Sequence, residues 1–374
     1  MNLPRRSPVR PTATTPARKP NARPEERLWT RRTPLLRLPW PDAAVRVDLR
    51  ATVVTVLLAA LAAGVGAWSL TVGELALSPG EVLAAFTGDA DSGTERVVLE
   101  WRLPRTVIAL AAGAALGAAG AVFQSMTRNP LGSPDVIGFN AGAYTGTLIA
   151  ALTVGNTRFG ATTGALIGGL ATGVLVYLLA FRGGVQGQRL IVVGVGVGAL
   201  LTSLNGYLLI NLRLEEAIAA ATWGAGSFAD VGWPEARPVL AATAVLLPAG
   251  VLLQRRMRLL ELGDDAARAL GVPVERTRLA LLFLGVGLTA VVTAAAGPIA
   301  FVALAAPQLA LRLARTGGVR LLPAAAMGAL LLVTGDLLAR TLTAPAQLPV
   351  GVVTVCLGGC YLVWLLSSRS RRTP

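Results

Sequence analysis

Apolar residues in this chain occur in long uninterrupted blocks that are separated by short polar stretches. An α-helix rises about 1.5 Å per residue, so a block of about 20 residues spans the hydrocarbon core of a bilayer. The blocks lack the apolar-polar alternation of a membrane β-barrel. The pattern predicts an all-α polytopic membrane protein with about ten transmembrane helices. The predicted spans are residues 51–70, 105–125, 135–153, 161–181, 190–211, 238–254, 278–296, 298–313, 320–341 and 349–367.

Basic residues are distributed unevenly among the connections between these spans. Short cytoplasmic loops of membrane proteins carry an excess of Lys and Arg. If the N-terminus lies inside, 27 of the 34 Lys and Arg residues fall on the cytoplasmic side, and the remaining seven lie outside or at the outer ends of spans. This asymmetry predicts that both termini are cytoplasmic.

The first 48 residues differ in composition from the rest of the chain. They are rich in Pro, Arg and Thr without apolar periodicity, so we predict a disordered cytoplasmic tail over 1–48. Residues 1–50 contain twelve Lys and Arg against four acids, which places +8 of the net charge of +14 there. This charge suits a tail beside anionic lipid better than a nucleic-acid-binding domain. The membrane domain is predicted over 49–368, followed by a cytoplasmic C-terminal tail over 369–374.

A short helix outside the membrane is predicted in the connection 71–104. The sequence LSPGEVLAAF places Ser78 at a helix cap, Pro79 at the first helical position and Glu81 in the first turn. Two interpretations stay open for the acidic residues of this connection. They face a partner on that side of the membrane, or they belong to a solvated loop.

The inventory of reactive side chains excludes several classes of chemistry. The chain has no histidine, and its only lysine is Lys19 in the tail. Imidazole metal sites and histidine-based triads are therefore excluded, and so is a phosphate-binding loop, which needs a lysine after its glycines. We predict that the chain is not an enzyme and holds no metal or cofactor of its own. Cys356 and Cys360 are interpreted as small buried apolar residues.

Charged and small residues within the spans predict contacts between helices and a helix that lines a path. Asp336 and Arg340 lie four residues apart in the ninth span, which predicts a structural ion pair on one helix face. Glycine pairs spaced four apart, at 113 and 117 and at 164 and 168, predict close helix packing. The fifth span mixes small and polar residues, which suits a helix that lines a path. Its candidate pathway residues are Gly196, Gly198, Thr202, Ser203 and Asn205.

The stretch LELGDDAARALGV, residues 260–272, is a charged segment between two apolar blocks. A helix of this length is unstable alone in water, so it must dock on something. We predict that Asp264 caps it and pairs with Arg268, and that Gly271 ends it. Another protein is one docking partner, and an ordinary connecting helix is the alternative. The predicted docking residues are Leu262, Gly263, Asp264, Asp265, Ala267, Arg268, Leu270, Gly271 and Val272, with Ala267, Leu270 and Val272 as the apolar face.

Four ordered blocks resemble the permease family of iron-siderophore, haem and cobalamin ABC importers, the FecCD-type family. They are WRLPRTVIALAAGAALGAAGAVFQSMTRNPLGSPDVIGFNAGA at 101–143, the stretch at 260–272, GPIAFVALAAPQLALRLA at 297–314 and LPVGVVTVCLGGCYLVWLL at 348–366. The similarity runs from about residue 50 to the end. Gln308 stands where the family usually has His, Ala303 where it has Gly, and Cys360 where it commonly has Pro.

The resemblance implies a cobalamin-importer-permease-like bundle in the cytoplasmic (inner) membrane. It implies three kinds of partner, namely a second permease subunit, identical or paralogous, two ATPase subunits that use ATP and Mg, and a binding protein outside. It also implies that 260–272 contacts the ATPase. A ferric siderophore is the expected substrate, with cobalamin or haem as alternatives. An ion-coupled secondary transporter and a membrane receptor are alternatives of other classes.

The turn Arg128-Asn129-Pro130 lies at the cytoplasmic end of the second span in this topology. Proline stops a helix, and an arginine at a helix end can bond free carbonyl groups. A structural turn is the first interpretation, and a part in the cytoplasmic gate or in the contact with the ATPase is the second.

Overall fold

The computed structural model describes residues 35–37, 44–46, 48–154, 158–181, 187–342 and 347–370. The chain divides into two units, with the boundary after Leu49. In the first unit, strands β1 (Leu35–Arg37) and β2 (Ala44–Arg46) pair antiparallel. The rest of the predicted N-terminal tail, and residues 371–374, lie outside the described residues.

The second unit is built from helices. An unbroken helical stretch runs from Ser92–Arg96 through a π-helical segment at Val97–Arg102 into Leu103–Thr127. The helices are α1 (Leu49–Ser69), α2 (Pro79–Thr87), α3 (Ser92–Arg96), α4 (Leu103–Thr127), α5 (Phe139–Val154), α6 (Arg158–Ala180), α7 (Gly187–Ile210), α8 (Leu214–Gly224), α9 (Trp233–Glu261), α10 (Asp264–Ala269), α11 (Val274–Ala296), α12 (Val302–Ala314), α13 (Leu321–Thr341) and α14 (Val350–Ser370).

Seven helices in the described part of the chain are long and apolar enough to cross a membrane. They correspond to α1, α3 with α4, α6, α7, α9, α11 and α13. Two shorter apolar helices are Val302–Ala314 and Val350–Tyr361. A polytopic helical architecture therefore agrees with the sequence pattern.

Two of the predicted spans begin later than the apolar pattern indicated. The span predicted from 135 starts as a helix at Phe139, and the span predicted from 298 starts at Val302. Proline cannot donate the backbone hydrogen bond that a helix interior needs, and Pro134 and Pro298 lie just before these starts. We call residues 128–138 the first break and residues 297–301 the second break.

Helix α4 occupies the centre of the bundle, where α9, α11, α12 and α13 pack against it. A Cβ atom on Gly117 would overlap the carbonyl of Ala324 in α13. A Cβ atom on Gly168 would likewise overlap the carbonyl of Gly142, where α5 meets α6. The prediction of close packing at both glycine pairs is therefore confirmed, because only hydrogen side chains permit these backbone approaches.

The cap predicted for the short helix α2 is present. The backbone N–H of Glu81 donates to Ser78 Oγ (3.2 Å), and the N–H of Ser78 donates to Glu81 Oε2 (2.7 Å). This reciprocal pair is a capping box, with Pro79 at the first helical position. The hydrogen bonds from Ser78 lower the pKa of the Glu81 carboxyl.

The prediction that both cysteines are buried is wrong. Cys356 and Cys360 are exposed on α14. A membrane helix is apolar around its whole circumference, so hydrophobicity alone does not identify the face that packs against protein.

Candidate functional site

Helix α10 lies between two glycines that have positive φ angles. Gly263 precedes it with φ 110°, and Gly271 follows its last turn with φ 79°. The N–H of Gly271 donates to the carbonyl of Arg268 (2.9 Å), and the N–H of Val272 donates to that of Ala267 (2.9 Å). This pair of bonds is a Schellman motif, which satisfies the last carbonyl groups of a helix. Gly271 therefore ends the helix as predicted.

Asp264 joins three parts of the chain. Its Oδ1 lies 2.7 Å from Nη2 of Arg128 in the turn after α4 and 2.7 Å from Nη2 of Arg278 in α11. The expected pair with Arg268 is wrong, because Arg268 bonds Asp265 Oδ1 (3.1 Å), three residues earlier. Asp264 also makes no capping bond, since Gly263 occupies the cap position. Its carboxylate is oriented toward the bundle instead.

The electrostatic environment of Asp264 favours its charged form. Partial burial opposes ionisation, but the hydrogen bond and charge of Arg278 and the charge of Arg128 together lower the pKa of Asp264. The Arg278 side chain is only 4% exposed and lies 3.7 Å from Glu275 as well. A buried guanidinium needs such partners because removing a charge from water is costly.

The apolar face predicted for α10 points partly the other way. Ala267 and Val272 are buried within the bundle. Leu270 is 59% exposed and Leu262 is 65% exposed. The small size of Ala267 lets α10 approach α9 and α11 closely, which explains its inward position. The exposed apolar surface of the segment is therefore Leu262 and Leu270.

The Arg128-Asn129-Pro130 turn leads directly into this cluster. Arg128 has a left-handed backbone, with φ 53°, and its N–H donates to the carbonyl of Ser125 (3.3 Å). Asn129 Oδ1 accepts from the N–H of Leu131 (2.9 Å). The backbone thus makes the structural turn, while the Arg128 side chain reaches Asp264.

Glu261 is a connecting residue that was not among the predicted docking residues. It is the last residue of α9, and its carboxylate accepts hydrogen bonds from Ser125 Oγ in α4 and from the backbone N–H of Val319. Gln254, two turns earlier, accepts from the N–H of Leu321 (3.2 Å). The end of α9 is therefore tied to α4 and to the connection between α12 and α13. Partners so distant in sequence leave no local pattern.

The candidate pathway residues of α7 have different surroundings. Asn205 is buried and accepts from Thr145 Oγ1 (2.6 Å) while donating to the carbonyl of Ala141 (3.1 Å). Thr202 and Ser203 bond carbonyl groups of their own helix. Thr202 and Asn205 line a groove of about 630 Å³, whereas Gly196, Gly198 and Ser203 are absent from its lining. Gly198 packs against Gly138 instead.

Gln308, at the position where the family usually has His, takes part in a buried amide chain. Its Nε2 donates to Gln124 Oε1 (2.7 Å), and Gln124 Nε2 donates to the carbonyl of Leu304 (3.0 Å). The chain joins α12 to α4. Glutamine satisfies its buried amide groups here, which a buried polar side chain requires.

A cluster of arginines surrounds Asp336. Arg340 Nε lies 3.3 Å from Asp336 Oδ2, so the predicted pair is present. Arg105 of α4 also donates to Asp336, through Nε (3.1 Å) and Nη2 (2.9 Å). The spacing of residues along one helix could not predict this partner, because it lies on another helix. Within the described residues, Nη2 of Arg340 has no hydrogen-bond partner. Arg102, Arg105 and Arg340 line a cavity of about 580 Å³.

Among the described residues, no group of three or more Cys, Asp and Glu side chains is placed to hold a metal ion. The described site consists of ion pairs, helix ends and an exposed apolar surface.

Comparison with known proteins identifies the family. The FecCD transport family profile matches residues 57–368. The ferric enterobactin transport system permease protein FepG of Escherichia coli (strain K12) is 48% identical over 328 residues, covering 88% of this chain and 99% of that protein. The hemin transport system permease protein HmuU of Yersinia pestis is 35% identical, covering 85% and 95%.

A solved structure has the same fold. An inward-facing metal-chelate type ABC transporter matches with a TM-score of 0.75 and 28% sequence identity, covering 85% of this chain and 99% of that one. The family profile, the relatives and the fold agree along most of the sequence. The chain belongs to the FecCD transport family.

Proposed function

We propose that this chain is the permease subunit of an ATP-driven importer that carries a ferric siderophore across the cytoplasmic membrane by alternating access. The family match and the 48% identity to a ferric enterobactin permease support this function. The identity to a hemin permease keeps haem as an alternative substrate, and cobalamin is a further one.

The observation that carries the mechanism is the junction at Asp264. One carboxylate contacts Arg128 at the end of α4 and Arg278 at the start of α11, while Leu262 and Leu270 beside it are exposed. A partner that binds these leucines pushes on a segment linked by ion pairs to two packed helices. In the proposed mechanism, closure of the ATPases moves residues 262–272, and α4 and α11 transmit the movement.

The proposed topology has ten spans with both termini in the cytoplasm. In this proposal the seven long apolar helices are seven of the crossings, and α5, α12 and α14 are the other three. This topology puts α10 on the cytoplasmic side and the Asp336 cluster near the outer side. The excess of Lys and Arg in the predicted cytoplasmic connections supports it.

The proposed assembly contains a second permease subunit, two ATPases that bind ATP and Mg, and a binding protein outside. Only 17% of the apolar stretch of α7 is buried within this chain. The rest of its surface is therefore open to a second permease subunit or to lipid. On the proposed outer side, the cavity of about 580 Å³ is lined by both arginines and acidic residues, so it offers charged groups of either sign to the binding protein.

Uptake measurements test the substrate and the energy source. Cells that lack this gene and its relatives are complemented with the wild-type chain and given labelled ferric enterobactin, haem or cobalamin. We expect siderophore uptake that requires the ATPase gene. Uptake that persists without the ATPase and collapses with an uncoupler would instead establish an ion-coupled transporter.

The docking surface is tested separately. Replacing Leu262 and Leu270 with Ser removes the exposed apolar side chains without touching the ion pairs. We expect loss of copurification with the ATPase and loss of uptake. Leu313→Ser, at a leucine that is 50% exposed at the end of α12, is the matched control. Normal ATPase binding by the double variant would show that residues 262–272 do not form the interface.

A further inference from the structure

Asp135 bridges the two helix breaks. Its Oδ2 accepts a hydrogen bond from the backbone N–H of Phe301 (3.1 Å), and its Oδ1 accepts one from the side-chain amide of Asn140 (2.6 Å). Asp135 lies in the first break, Phe301 is the last residue of the second break, and Asn140 is in the first turn of α5. One carboxylate therefore connects the starts of α5 and α12.

Phe301 adopts a conformation that the backbone does not favour. Its φ of 69° and ψ of −28° lie in the left-handed region, where a bulky non-glycine residue is strained. Its ring packs on Gly358 of α14, where a Cβ atom would overlap the ring. Such a conformation persists only where the surroundings hold it. The bond from Asp135 is one of the contacts that hold it.

The bond lies beside the groove of about 630 Å³, because Asn140, which donates to Asp135, and Ala300, which precedes Phe301, both line that groove. One side is formed by α5 and α7, including Asn205. The other is formed by Pro298 and Ala300 of the second break and by Cys356 of α14. The first break is fixed to α7, because a Cβ atom on Gly138 would lie 2.9 Å from the Cα of Gly198. A movement that separates α5 from the second break therefore stretches the Asp135 bond.

We propose that Asp135 is a positioning residue for transport, which holds Phe301 in its left-handed conformation and thereby sets the spacing of the groove walls. The inference rests on the proposed function, since it assigns the groove to the transport path. Asp135 contacts no transported molecule in this role. It acts through the backbone of Phe301, so its effect falls on the rate of the conformational change rather than on docking of the binding protein.

Uptake kinetics of the complete transporter in proteoliposomes test the role. Asp135→Ala removes the acceptor, and we expect the maximal uptake rate to fall roughly tenfold, with the KM for the loaded binding protein unchanged. Asp135→Asn retains an oxygen acceptor for the N–H of Phe301 and is expected to stay within about threefold of wild type. ATP hydrolysis per molecule transported should rise in the Ala variant.

A second-site test separates positioning from simple structural support. Glycine adopts the left-handed region without strain, so Phe301→Gly relieves the need for the Asp135 bond. Phe301→Ala removes the same ring but keeps the strain, which makes it the matched control. In the Asp135→Ala background, we expect Phe301→Gly to restore uptake roughly tenfold above Phe301→Ala.

The outcomes are distinguishable. If wild type transports and Asp135→Ala transports equally well, the inference fails while the proposed function stands. If Asp135→Ala is inactive but Phe301→Gly is no better than Phe301→Ala, Asp135 supports the fold without setting the conformation of Phe301, and the inference also fails. A wild-type complex that transports no chelate refutes the proposed function and this inference with it.

Discussion

Asp264 and Arg128 are joined by a contact of 2.7 Å although 136 residues separate them in the chain. The same carboxylate oxygen contacts Arg278, so one acidic side chain fixes α10 to the ends of α4 and α11. This arrangement makes the short helix a rigid extension of the bundle.

Replacing Asp264 should loosen α10 and uncouple it from the bundle. Asp264→Ala leaves the buried Arg278 with Glu275 as its one acidic partner among the described residues, so we expect a local destabilisation of about 1–2 kcal/mol. Uptake should fall by about five- to thirtyfold, because each 1.4 kcal/mol is a factor of ten. Hydrogen exchange of residues 263–272 and labelled-substrate uptake measure the two effects.

Asp265→Asn is the control for this prediction. The Asp265 side chain is fully exposed and pairs only at the surface with Arg268, so its loss should change stability by less than about 0.5 kcal/mol. Equal losses for both variants would mean that negative charge on α10, rather than the junction, matters.

The junction should resist mild acid. The pKa of Asp264 is held below its usual value of 3.8, so the carboxylate stabilises the folded state fully above that value. The stabilisation is lost as the pH falls through the lowered pKa. We expect wild-type protection of α10 amides, corrected for intrinsic exchange, to be constant from about pH 5 to 8. Loss of protection already near pH 5 would contradict the assigned ion pairs.

The position of Glu261 predicts that alanine substitutions at the neighbouring Gly317 and Gly318 differ sharply in their effect on stability. A Cβ atom on Gly318 would overlap Glu261 Oε2, whereas one on Gly317 would meet nothing within 4 Å. Gly318→Ala should therefore displace a carboxylate that Ser125 and Val319 hold, at a cost of about 1–3 kcal/mol. Gly317→Ala should be neutral within about 0.5 kcal/mol. Thermal unfolding in detergent distinguishes them, and equal midpoints would show that Glu261 moves freely.

The contacts of Asp336 predict which substitution in this cluster destabilises the protein more. Asp336→Asn leaves the buried guanidinium groups of Arg105 and Arg340 without their shared charge, which should cost about 3–5 kcal/mol. Arg105→Gln should cost less, because Asp336 keeps Arg340. Unfolding midpoints of the purified variants measure the order. A larger loss for Arg105→Gln would show that the Arg105 contacts outweigh the shared aspartate.

Local patterns in the sequence predicted what depends on neighbours in the chain. The spacing of Asp336 and Arg340 predicted their pair, and the glycines around 264–269 predicted a short helix with a left-handed end. Hydrophobicity did not identify which face of α10 or α14 packs inward, so Ala267 and Cys356 were assigned to the wrong sides. Partners such as Arg105 and Glu261 depend on three-dimensional contacts that a single sequence does not encode locally.

The pair of Arg105 and Asp336 also bears on how the protein is made. The two residues are 231 positions apart, and a ribosome synthesises the arginine long before the aspartate exists. Until α13 emerges, α4 carries a guanidinium into the bilayer with its eventual counter-charge still missing. A nascent chain that stalls early is therefore electrostatically incomplete.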